Sequence, residues 1–552
     1  MEITEMPVAN ASLLDEATAA AEAVQMSYNF HAGKRNKYFV SDSLFPQTIE
    51  VIKTKCHAIG IELEVGPTAS FNIANAKDYS GIIVQTPDNH GSVHDYTDLG
   101  VKVKETGMLF TIVSDILGNC ILKTPGAMGA DLACGSAQRM GIPLAYGGPH
   151  PGYFASSVKL QRKLPGRIIG ISKDVHGDQA FRMALQTREQ HIRRDKATSN
   201  LCTAQALLAN MAAFYMQWHG SNGLRKMAIK ARFMSQIFME ELEVIGVQFA
   251  TDRKNYFDTV CIKVTESGFT SPDYLQAQFH KYGINIRKVD SNHVSLSFDE
   301  ITSLYDLDEV IDIFFSLKKN KYHARSSGKR EFDFEGYHDK IYNQVPKETR
   351  REGPFLQQNQ FKMKFSETNM MRYIQRLADK DLSLTNSMIA LGSCTMKLNS
   401  AICMIPVTFH GFANLHPFAP LDQCQGFQTL ISEIEDNLIC ITQYDGISSQ
   451  PHSGATGEYA GLMAIKKYHE SRGDFQRNIC LCPTSAHGTN PATAQICGMK
   501  IIPIGCDEEG NILIEEIEEK AKQYADKLSC IMITYPSTHG VFEEGAKKIC
   551  DI

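Results

Sequence analysis

The spacing of apolar residues predicts alternating strands and helices near the end of the chain. Three short apolar runs are typical of buried strands: residues 479–482, 499–505 and 530–536. Between the first two runs, Asn490 followed by Pro491 predicts a helix start. Between the last two runs, apolar residues recur at helical spacing from Ile514 to Leu528. Strands that alternate with helices over short connections favour an α/β fold, with a largely parallel sheet covered by helices.

The first part of the chain repeats this plan. Residues 81–87 and 109–115 are typical of strands that lead into loops. The Ala-rich residues 11–28 predict a helix with Ser12 as its cap. The apolar residues 207–218 predict a buried helix, because they fall well short of the roughly 20 residues that span a bilayer.

The charged residues 319–365 separate the chain into two halves. They are poor in apolar periodicity, which predicts a connecting region at the surface with some local structure. The chain thus divides into an N-terminal half (1–318), this connection and a C-terminal half (366–552). Aligning residues 16–23 (EATAAAEA) with 454–461 (GATGEYAG) suggests an internal duplication, although small residues at any helix–sheet contact produce the same match.

The composition is that of a globular protein with several domains. The 552 residues are 43% hydrophobic and 21% charged, and the net charge of −6 argues against a surface for nucleic acid or an anionic membrane. Fifteen scattered cysteines indicate free thiols in a reducing compartment. Residues 1–14 are acidic and lack the Arg-rich pattern of an organelle transit peptide.

A helix start suited to phosphate is the strongest chemical candidate. Ser453 is placed to cap a helix whose first turn carries Gly454 and Ala455, so that backbone N–H groups and the helix dipole meet an anion. A capped helix with small residues for packing is the alternative. The corresponding N-terminal turn carries Asp15 and Glu16, whose carboxylates would repel a phosphate.

Two strand ends offer further candidates, because ligands of parallel sheets usually lie at the carboxyl ends of strands. His487 follows the strand at 479–482, where a flat imidazole could stack on a pyridine ring. A loop histidine bonded to the backbone is the more common interpretation. Thr534, with the hydroxyl and imidazole groups after it, leaves the strand at 530–536, and a proline-containing turn with hydroxyl caps is the alternative.

Basic residues supply less specific candidates. Lys397, in the loop 393–400 (SCTMKLNS), is a possible nucleophile, and a solvated surface lysine is the more common alternative. Lys281 lies in a predicted helix with no glycine-rich turn behind it. The arginine-rich residues 187–200 predict either a solvated face or a clamp for a carboxylate.

Together these motifs resemble one family, the pyridoxal-phosphate subunit of the glycine cleavage system, known as glycine decarboxylase or P-protein. The similarity runs from residues 10–23 through 185–213 to the end of the chain. Its most idiosyncratic motifs are IALGSCTMKLNS (389–400), NLHPFAPLDQCQGFQ (414–428), SGATGEYAGLMAI (453–465), SAHGTNPATA (485–494) and IMITYPSTHGVFEE (531–544).

The resemblance implies two tandem halves of the fold-type-I, aminotransferase-like kind, of which only the C-terminal half holds pyridoxal 5′-phosphate. The cofactor-binding residues that it implies are Ser453, Gly454, Ala455, His487 and Thr534, with His487 stacked on the ring. A loop that approaches from the closing domain would contribute Ser393, Cys394 and Thr395. Neither Lys397 nor Lys281 lies in the sequence context of the family's Schiff-base lysine.

The N-terminal half resembles a second cofactor site that has lost its lysine. Asp115 stands where the aspartate beneath the ring nitrogen would be, and Gln138 and Arg139 stand where a His-Lys pair would be. The surrounding residues 113–155 resemble the family segment expected after residue 552. The resemblance therefore implies no covalent cofactor in this half. It also predicts a chain truncated at both ends, with a C-terminal half that stops before the Schiff-base lysine.

The family's reaction is the decarboxylation of glycine, with transfer of the aminomethyl group to the lipoyl arm of H-protein. The expected partners are H-protein and the other glycine cleavage proteins, the expected assembly is a homodimer, and the expected location is the mitochondrion in a eukaryote or otherwise the cytoplasm. Without the lysine, the chain alone is expected to be inactive. The alternatives are a catalytically incompetent isoform that acts as a dimer partner or regulator, and another fold-type-I enzyme such as a cysteine desulfurase, which the doubled halves argue against.

Overall fold

The first part of the chain forms a seven-stranded mixed sheet. The structure is a computed structural model that describes residues 1–201, 205–318, 334–380, 383 and 400–552. The strands of this sheet are β1 (Val8–Ala9), β2 (Lys37–Ser41), β3 (Glu62–Gly66), β4 (Tyr79–Thr86), β5 (Leu109–Ser114), β6 (Leu132–Ser136) and β7 (Gly152–Ser156). Their order is β1-β7-β6-β5-β4-β2-β3, in which the neighbours from β3 to β6 run parallel and β7 is antiparallel to both β6 and β1.

Helices cover both faces of this sheet. They are α1 (Glu16–Phe30), α2 (Pro46–Ile59) and α3 (Thr97–Thr106). The strands β4 and β5, predicted at 81–87 and 109–115, are buried along their whole lengths. Successive residues alternate between the layers, so that Ile83 packs with α1 and α2 whereas Ile82 packs with α3. Burial on both faces explains why these strands are continuously apolar.

The helix α1 begins at Glu16 and is capped by Asp15. The Asp15 Oδ1 accepts a hydrogen bond from the Thr18 backbone N–H at 2.7 Å, and the Asp15 N–H donates to the Thr18 Oγ1 at 3.2 Å. This reciprocal pair is a capping box, and a carboxylate also complements the positive end of the helix dipole. The prediction of Ser12 as the cap is wrong, because Asp15 is the cap and the helix begins at Glu16.

Residues 206–317 form a second module, whose core also includes apolar side chains from the first part of the chain, such as Ile116 and Leu117. The chain reaches it through a hairpin and a short helix: β8 (Ile168–Lys173), β9 (Gln179–Ala184) and α4 (Gln190–Arg193). The module contains α5 (Ala206–Glu243), β10 (Thr259–Lys263), α6 (Pro272–His280), β11 (Arg287–Lys288), β12 (His293–Ser297) and α7 (Leu304–Leu317). Its antiparallel sheet has the order β10-β12-β11 and packs against the helices in one cluster of apolar side chains.

The start of α5 corrects the burial expected for residues 207–218. These residues are helical as predicted, but Leu207 and Trp218 are exposed. The helix is interrupted at Gly220, whose φ of 59° favours glycine. A β-carbon there would also meet the Phe361 carbonyl oxygen at 2.5 Å. Across the described ranges, none of the helices is both long and apolar enough to cross a membrane.

The connecting region packs into the N-terminal half where it is described. The helices from here to the last sheet are α8 (Phe334–Asn343), α9 (Asn359–Lys362), α10 (Glu367–Ala378), α11 (Ala401–Met404), α12 (His410–Ala413) and α13 (Gln425–Thr442). Val345 and Phe355 join the core of residues 206–317. The buried Arg351 NH1 donates to the carbonyl groups of Ile3 at 2.6 Å and Asn119 at 2.8 Å. The expectation that the connection crosses the surface with some local structure is therefore wrong for Val345, Arg351 and Phe355, which are buried.

The end of the chain forms a three-stranded parallel sheet. Its elements are α14 (Gly454–Ser471), β13 (Ile479–Pro483), α15 (Thr489–Ile496), β14 (Lys500–Ile504), α16 (Ile514–Gln523), β15 (Leu528–Ile531) and α17 (Ala546–Asp551). The strand order is β14-β13-β15. The three predicted strands and the helix at 514 are present, although β15 ends at Ile531 rather than at residue 536, and α15 starts at Thr489 rather than after Asn490.

The two ends of the chain share a local topology. In each, a capped helix precedes a parallel strand that pairs with two later strands: β2 lies between β3 and β4, and β13 lies between β14 and β15. The helices α1 and α14 begin at Glu16 and Gly454, which are the first residues of the aligned segments EATAAAEA and GATGEYAG. Capped helix starts at matching positions therefore support the internal duplication.

Candidate cofactor site

The helix α14 begins with an uncharged, capped turn. The Ser453 Oγ accepts a hydrogen bond from the Thr456 backbone N–H at 3.2 Å, which is the cap that the sequence predicts. The first turn, GATG, contains no acidic residue. Gly454 faces open space and Ala455 is buried. First-turn N–H groups and the positive end of the helix dipole suit an anion such as a phosphate.

His487 lies half-buried in the loop between β13 and α15. Its Nδ1 accepts a hydrogen bond from the Thr489 backbone N–H at 3.2 Å. This is the alternative interpretation from the sequence, a loop histidine bonded to the backbone. Burial, and then the charges of Arg194 and His191, lower the pKa of the imidazole. The ring is therefore neutral at neutral pH and held by one nitrogen, an arrangement compatible with stacking on an aromatic ligand.

Thr534 lies at the same edge of the sheet as His487. The strands β13 and β15 are parallel neighbours, and the Met532 N–H donates to the Leu481 carbonyl at 2.9 Å. The loops that follow the two strands therefore start at the same edge of the sheet. The Thr534 Oγ1 donates to the Asn490 Oδ1 at 3.2 Å and so links the second loop to α15. The structure thus brings His487 and Thr534 to one set of strand ends, where ligands of parallel sheets bind.

A buried asparagine from the N-terminal half joins α14 to α15. The Asn200 Nδ2 donates to the Thr493 Oγ1 at 3.2 Å and to the Ala455 carbonyl at 3.4 Å. The Thr493 Oγ1 donates in turn to the Glu458 Oε2 at 3.0 Å. Burial raises the pKa of the Glu458 carboxyl to about 7. Sequence reasoning missed Asn200, whose partners lie 255 and 293 residues away along the chain.

The arginine-rich residues 187–200 include both exposed and packed side chains: Arg193 and Lys196 are exposed, whereas Arg188 is buried and Arg194 is half-buried. The Arg194 NH1 donates at 3.1 Å to the carbonyl of Ala486, next to the candidate histidine. Arg188 is buried and pairs with Glu189 at 3.0 Å. The solvated-face interpretation is therefore wrong for Arg188. Arg194 binds a backbone carbonyl and so positions the loop that carries the histidine.

The N-terminal half holds a cavity of about 410 Å³ near the carboxyl ends of β4, β5 and β6. Arg139, with Gln138 beside it in the lining, occupies the position at which the family resemblance implies a lysine. The Arg139 NH1 lies 3.1 Å from the Asp115 Oδ2 and also pairs closely with Asp258. Burial raises the pKa of Asp258, against the opposing effect of Arg139. One cation therefore pairs with two partly buried carboxylates in this cavity.

The start of α1 does not suit a phosphate. The Glu16 Oε2 accepts a hydrogen bond from the Ser136 backbone N–H at 3.2 Å. Burial, and then the negative charge of Asp115, raises the pKa of Glu16 from 4.5 to about 7. Asp15 and Glu16 thus present carboxylates where α14 presents a hydroxyl and a glycine. The residues at the start of α1 do not suit the phosphate of pyridoxal phosphate, whereas the uncharged turn of α14 suits such an anion.

The remaining sequence candidates fall outside these two sites. Lys281 follows the end of α6 and donates from its Nζ to the Gln278 Oε1 at 2.8 Å on an exposed surface. This agrees with its exclusion as a cofactor lysine. Outside the described residues lie Ser393, Cys394, Thr395 and Lys397. The closing loop therefore stays a prediction.

Comparison with known sequences finds a matching family model and similar curated proteins. The family model described as glycine cleavage system P-protein matches residues 1–314. The glycine dehydrogenase (decarboxylating) of Photobacterium profundum is 47% identical over 554 residues, which cover 100% of this chain and 56% of the relative. Glycine dehydrogenase (decarboxylating) 1, mitochondrial, of Arabidopsis thaliana is 46% identical and covers 100% of this chain and 52% of the relative. The chain spans about half the length of the curated relatives that it matches.

A solved structure agrees with this assignment. The crystal structure of glycine decarboxylase (P-protein) of the glycine cleavage system, in inhibitor-bound form, is 30% identical. The match covers 57% of this chain and 73% of that chain, with a TM-score of 0.53. The predicted α/β architecture of the fold-type-I class is confirmed by this likeness.

Proposed function

Because the chain belongs to the glycine cleavage system P-protein family, we propose that it acts as a glycine dehydrogenase (decarboxylating) once a Schiff-base lysine completes its site, and that the chain alone is inactive. In this reaction glycine loses its carboxyl group as carbon dioxide, and the aminomethyl group passes to the lipoyl arm of H-protein. The observation that carries the proposal is the contrast between two helix starts. The first turn of α14 is capped by a serine and uncharged, whereas α1 carries Asp15 as its cap and Glu16 as its first residue.

Pyridoxal 5′-phosphate is the proposed cofactor of the C-terminal half. Ser453, Gly454 and Ala455 would bind its phosphate at the start of α14, and Thr534 would line the site. When bound, this cofactor supplies an electron sink for the electrons that a departing carboxyl group leaves behind. His487 would lie against the ring as a neutral imidazole, because burial lowers its pKa. A neutral ring can pack closely without adding a charge to the site.

Contacts from the N-terminal half support the arrangement of this site. Asn200 ties α14 to α15 through Ala455 and Thr493. Arg194 holds the carbonyl that precedes His487. These bonds are buried or partly buried, so they fix the proposed phosphate-binding turn and the imidazole loop relative to each other. We assign both residues a positioning role.

The two halves would divide their tasks. Residues 1–318 are the proposed cofactor-free half, 319–365 the connection, and 366–552 the cofactor-binding half. The charge of Arg139 is already paired with Asp115 and Asp258. A guanidinium also stays protonated and cannot serve as an amine nucleophile. Both points support a cofactor-free N-terminal half.

H-protein, the other glycine cleavage proteins and glycine are the proposed partners and substrate, and a homodimer is the proposed assembly. The mitochondrial relative in Arabidopsis thaliana supports a mitochondrial location if the source is a eukaryote. A bacterial source would place the protein in the cytoplasm.

Isotope exchange tests the proposed activity. The native protein, isolated with its cofactor, is incubated with glycine, labelled bicarbonate and lipoylated H-protein. Label is expected in the glycine carboxyl group only when H-protein is present. The variant Ser453→Asp places a carboxylate where phosphate would bind, so at limiting pyridoxal phosphate the rate should fall at least about tenfold, equivalent to ~1.4 kcal/mol of lost binding.

The matched control is Ser366→Asp, the same change at the exposed cap of α10. Aspartate is also a good cap, so α10 should stay folded and the exchange rate should stay unchanged. Exchange that needs no H-protein would refute the proposed reaction. An unchanged rate in Ser453→Asp would refute the proposed phosphate site.

A further inference from the structure

Three metal-ligating side chains meet where the N-terminal sheet contacts residues 206–317. One ligand atom each from His90, Asp290 and His293 lies within 4.8 Å of the other two. His90 follows β4, whereas Asp290 lies in the turn between β11 and β12 and His293 is the first residue of β12. The two imidazole rings meet edge to face, with centroids 5.7 Å apart. None of these residues takes part in the function proposed above.

The Asp290 carboxylate is oriented by its own turn. Its Oδ1 accepts hydrogen bonds from the backbone N–H groups of Asn292 at 2.7 Å and His293 at 2.9 Å. The His293 Nδ1 lies 2.9 Å from the Oδ1 and 2.8 Å from the Oδ2 of the same carboxylate. Two of the three ligand groups are therefore held side by side without an ion. This preorganisation lowers the entropy cost of binding a metal ion.

His90 is held against this pair by a tightly docked loop. The Asp88 Oδ1 accepts from the His90 backbone N–H at 2.8 Å, and the Thr251 Oγ1 donates to the His90 carbonyl at 2.6 Å. At Gly91, with φ of 82°, an added β-carbon would overlap the Thr259 carbonyl. The loop backbone thus lies directly on the strand β10 and the segment before it. This contact fixes the position of His90 relative to the second module.

We propose that His90, Asp290 and His293 form a binding site for a divalent first-row transition-metal ion of the Zn²⁺ class. Two imidazoles and one carboxylate are ligands that such ions prefer, whereas Mg²⁺ and Ca²⁺ favour sets of oxygen atoms. The histidines are partly exposed and Asp290 is exposed, so an ion can enter and water can complete its coordination. The ion replaces the proton of the hydrogen bond between His293 and Asp290, because a ligating imidazole nitrogen must be deprotonated.

A bound ion would join two modules of the N-terminal half. The loop after β4 supplies one ligand, and the antiparallel sheet of residues 206–317 supplies two. Their proximity depends on the folded contact between the modules, so the ion stabilises the folded arrangement over the unfolded chain. The proposal is independent of the glycine reaction.

Zinc competition with a chromophoric chelator tests the site on the full chain after removal of bound metal. The cysteine thiols of the chain also bind zinc, so the site is measured as a difference between variants. Wild-type protein should bind one equivalent more than His90→Ala or His293→Ala, and their affinity at this site should fall at least about tenfold. Saturating Zn²⁺ should raise the thermal midpoint of the wild type more than that of either variant.

The matched control is His176→Ala. This exposed histidine lies in the turn between β8 and β9, outside the triad, so its removal should leave zinc stoichiometry unchanged. Equal stoichiometry and affinity in wild type, His90→Ala and His293→Ala would overturn the proposal.

A second measurement needs no variant and therefore does not depend on how a variant folds. Histidine modification by diethyl pyrocarbonate is mapped by mass spectrometry on the wild type with and without Zn²⁺. The ion should protect His90 and His293 but leave the reactivity of His176 unchanged. Equal modification of the three histidines in both conditions would also overturn the proposal.

Discussion

The carboxyl group of Glu16 lies in the first turn of α1, where it accepts the Ser136 N–H and faces the charge of Asp115. Its burial favours the protonated form, as does the neighbouring carboxylate. The equivalent position in α14 is Gly454, which carries no charge and faces open space. Two positions, the cap and the first helical residue, thus separate the uncharged turn of α14, which suits an anion, from the turn of α1, which carries two carboxyl groups.

The variant Glu16→Gln is expected to remove a pH dependence of stability. The pKa of Glu16 is raised from 4.5 to about 7 in the folded chain, so between these values the folded chain keeps a proton that the unfolded chain releases. The free energy of unfolding should therefore fall as the pH rises through this window. Glutamine keeps the acceptor for Ser136 without the charge, so at about pH 8 the variant should be more stable, on the order of 2 kcal/mol.

Urea unfolding between about pH 5 and pH 8, followed by the fluorescence of Trp218, the single tryptophan of the chain, measures this difference. The control Glu50→Gln changes an exposed glutamate of α2 and should leave the pH profile nearly unaltered. A profile of Glu16→Gln that runs parallel to that of the natural chain would show that Glu16 is ionised in the folded state throughout.

At the scale of elements, the start of α15 depends on a close backbone contact. Gly488 is the cap residue of this helix and lies against Gln190, in the arginine-rich segment. A β-carbon at Gly488 would overlap the Gln190 carbonyl oxygen and lie 2.7 Å from its Oε1. The φ of Gly488 is −57°, so the glycine is required by the lack of space and not by its backbone conformation.

The variant Gly488→Ala is therefore expected to push the arginine-rich segment away from the His487 loop. Overpacking of this kind costs about 1–3 kcal/mol, and the displaced imidazole should lower the affinity for pyridoxal phosphate. Thermal unfolding and a cofactor titration on the same samples measure both effects.

The control Gly461→Ala lies in α14, where an added β-carbon meets nothing within 4 Å. Alanine is the better helix former there, so this variant should gain about 0.5–1 kcal/mol. If Gly488→Ala behaved like Gly461→Ala, the contact with Gln190 would not be a tight one.

The elements show which parts of the fold follow from local pattern. The strands at 81–87 and 109–115 could be predicted because they are short, apolar and followed by turns. The cap of α1 was misassigned, since Ser12 and Asp15 are both good caps and tertiary packing decides between them. The burial of residues 207–218 was also wrong, because an apolar helix is buried only where another element covers it.

In the candidate site, too, local features could be predicted from the sequence and long-range contacts could not. Ser453 could be recognised as a cap because a cap is defined by residues within four positions of it. The positioning roles of Asn200 and Arg194 could not be predicted, because their hydrogen-bond partners lie in the other half of the chain. Polar contacts at long sequence separation leave no periodic signal in a single sequence.

At the scale of the whole molecule, two related units pack together but differ in charge at their ligand-binding edges. The His452 Nε2 at the start of α14 lies 3.3 Å from the Asp15 Oδ2 at the start of α1. Farther along, the Lys466 Nζ of α14 donates to the Ala58 carbonyl of α2 at 2.8 Å. The N-terminal unit thereby supports the C-terminal one, while its own cavity is lined by the paired charges of Asp115, Arg139 and Asp258.

Binding of pyridoxal phosphate, measured by equilibrium dialysis on the full chain, tests most directly whether the C-terminal half alone holds the cofactor. We expect one equivalent per chain, an affinity unchanged in Glu16→Gln, and an affinity at least about tenfold lower in Ser453→Asp. Two equivalents per chain, or binding that survives Ser453→Asp and responds to Glu16→Gln, would contradict this account.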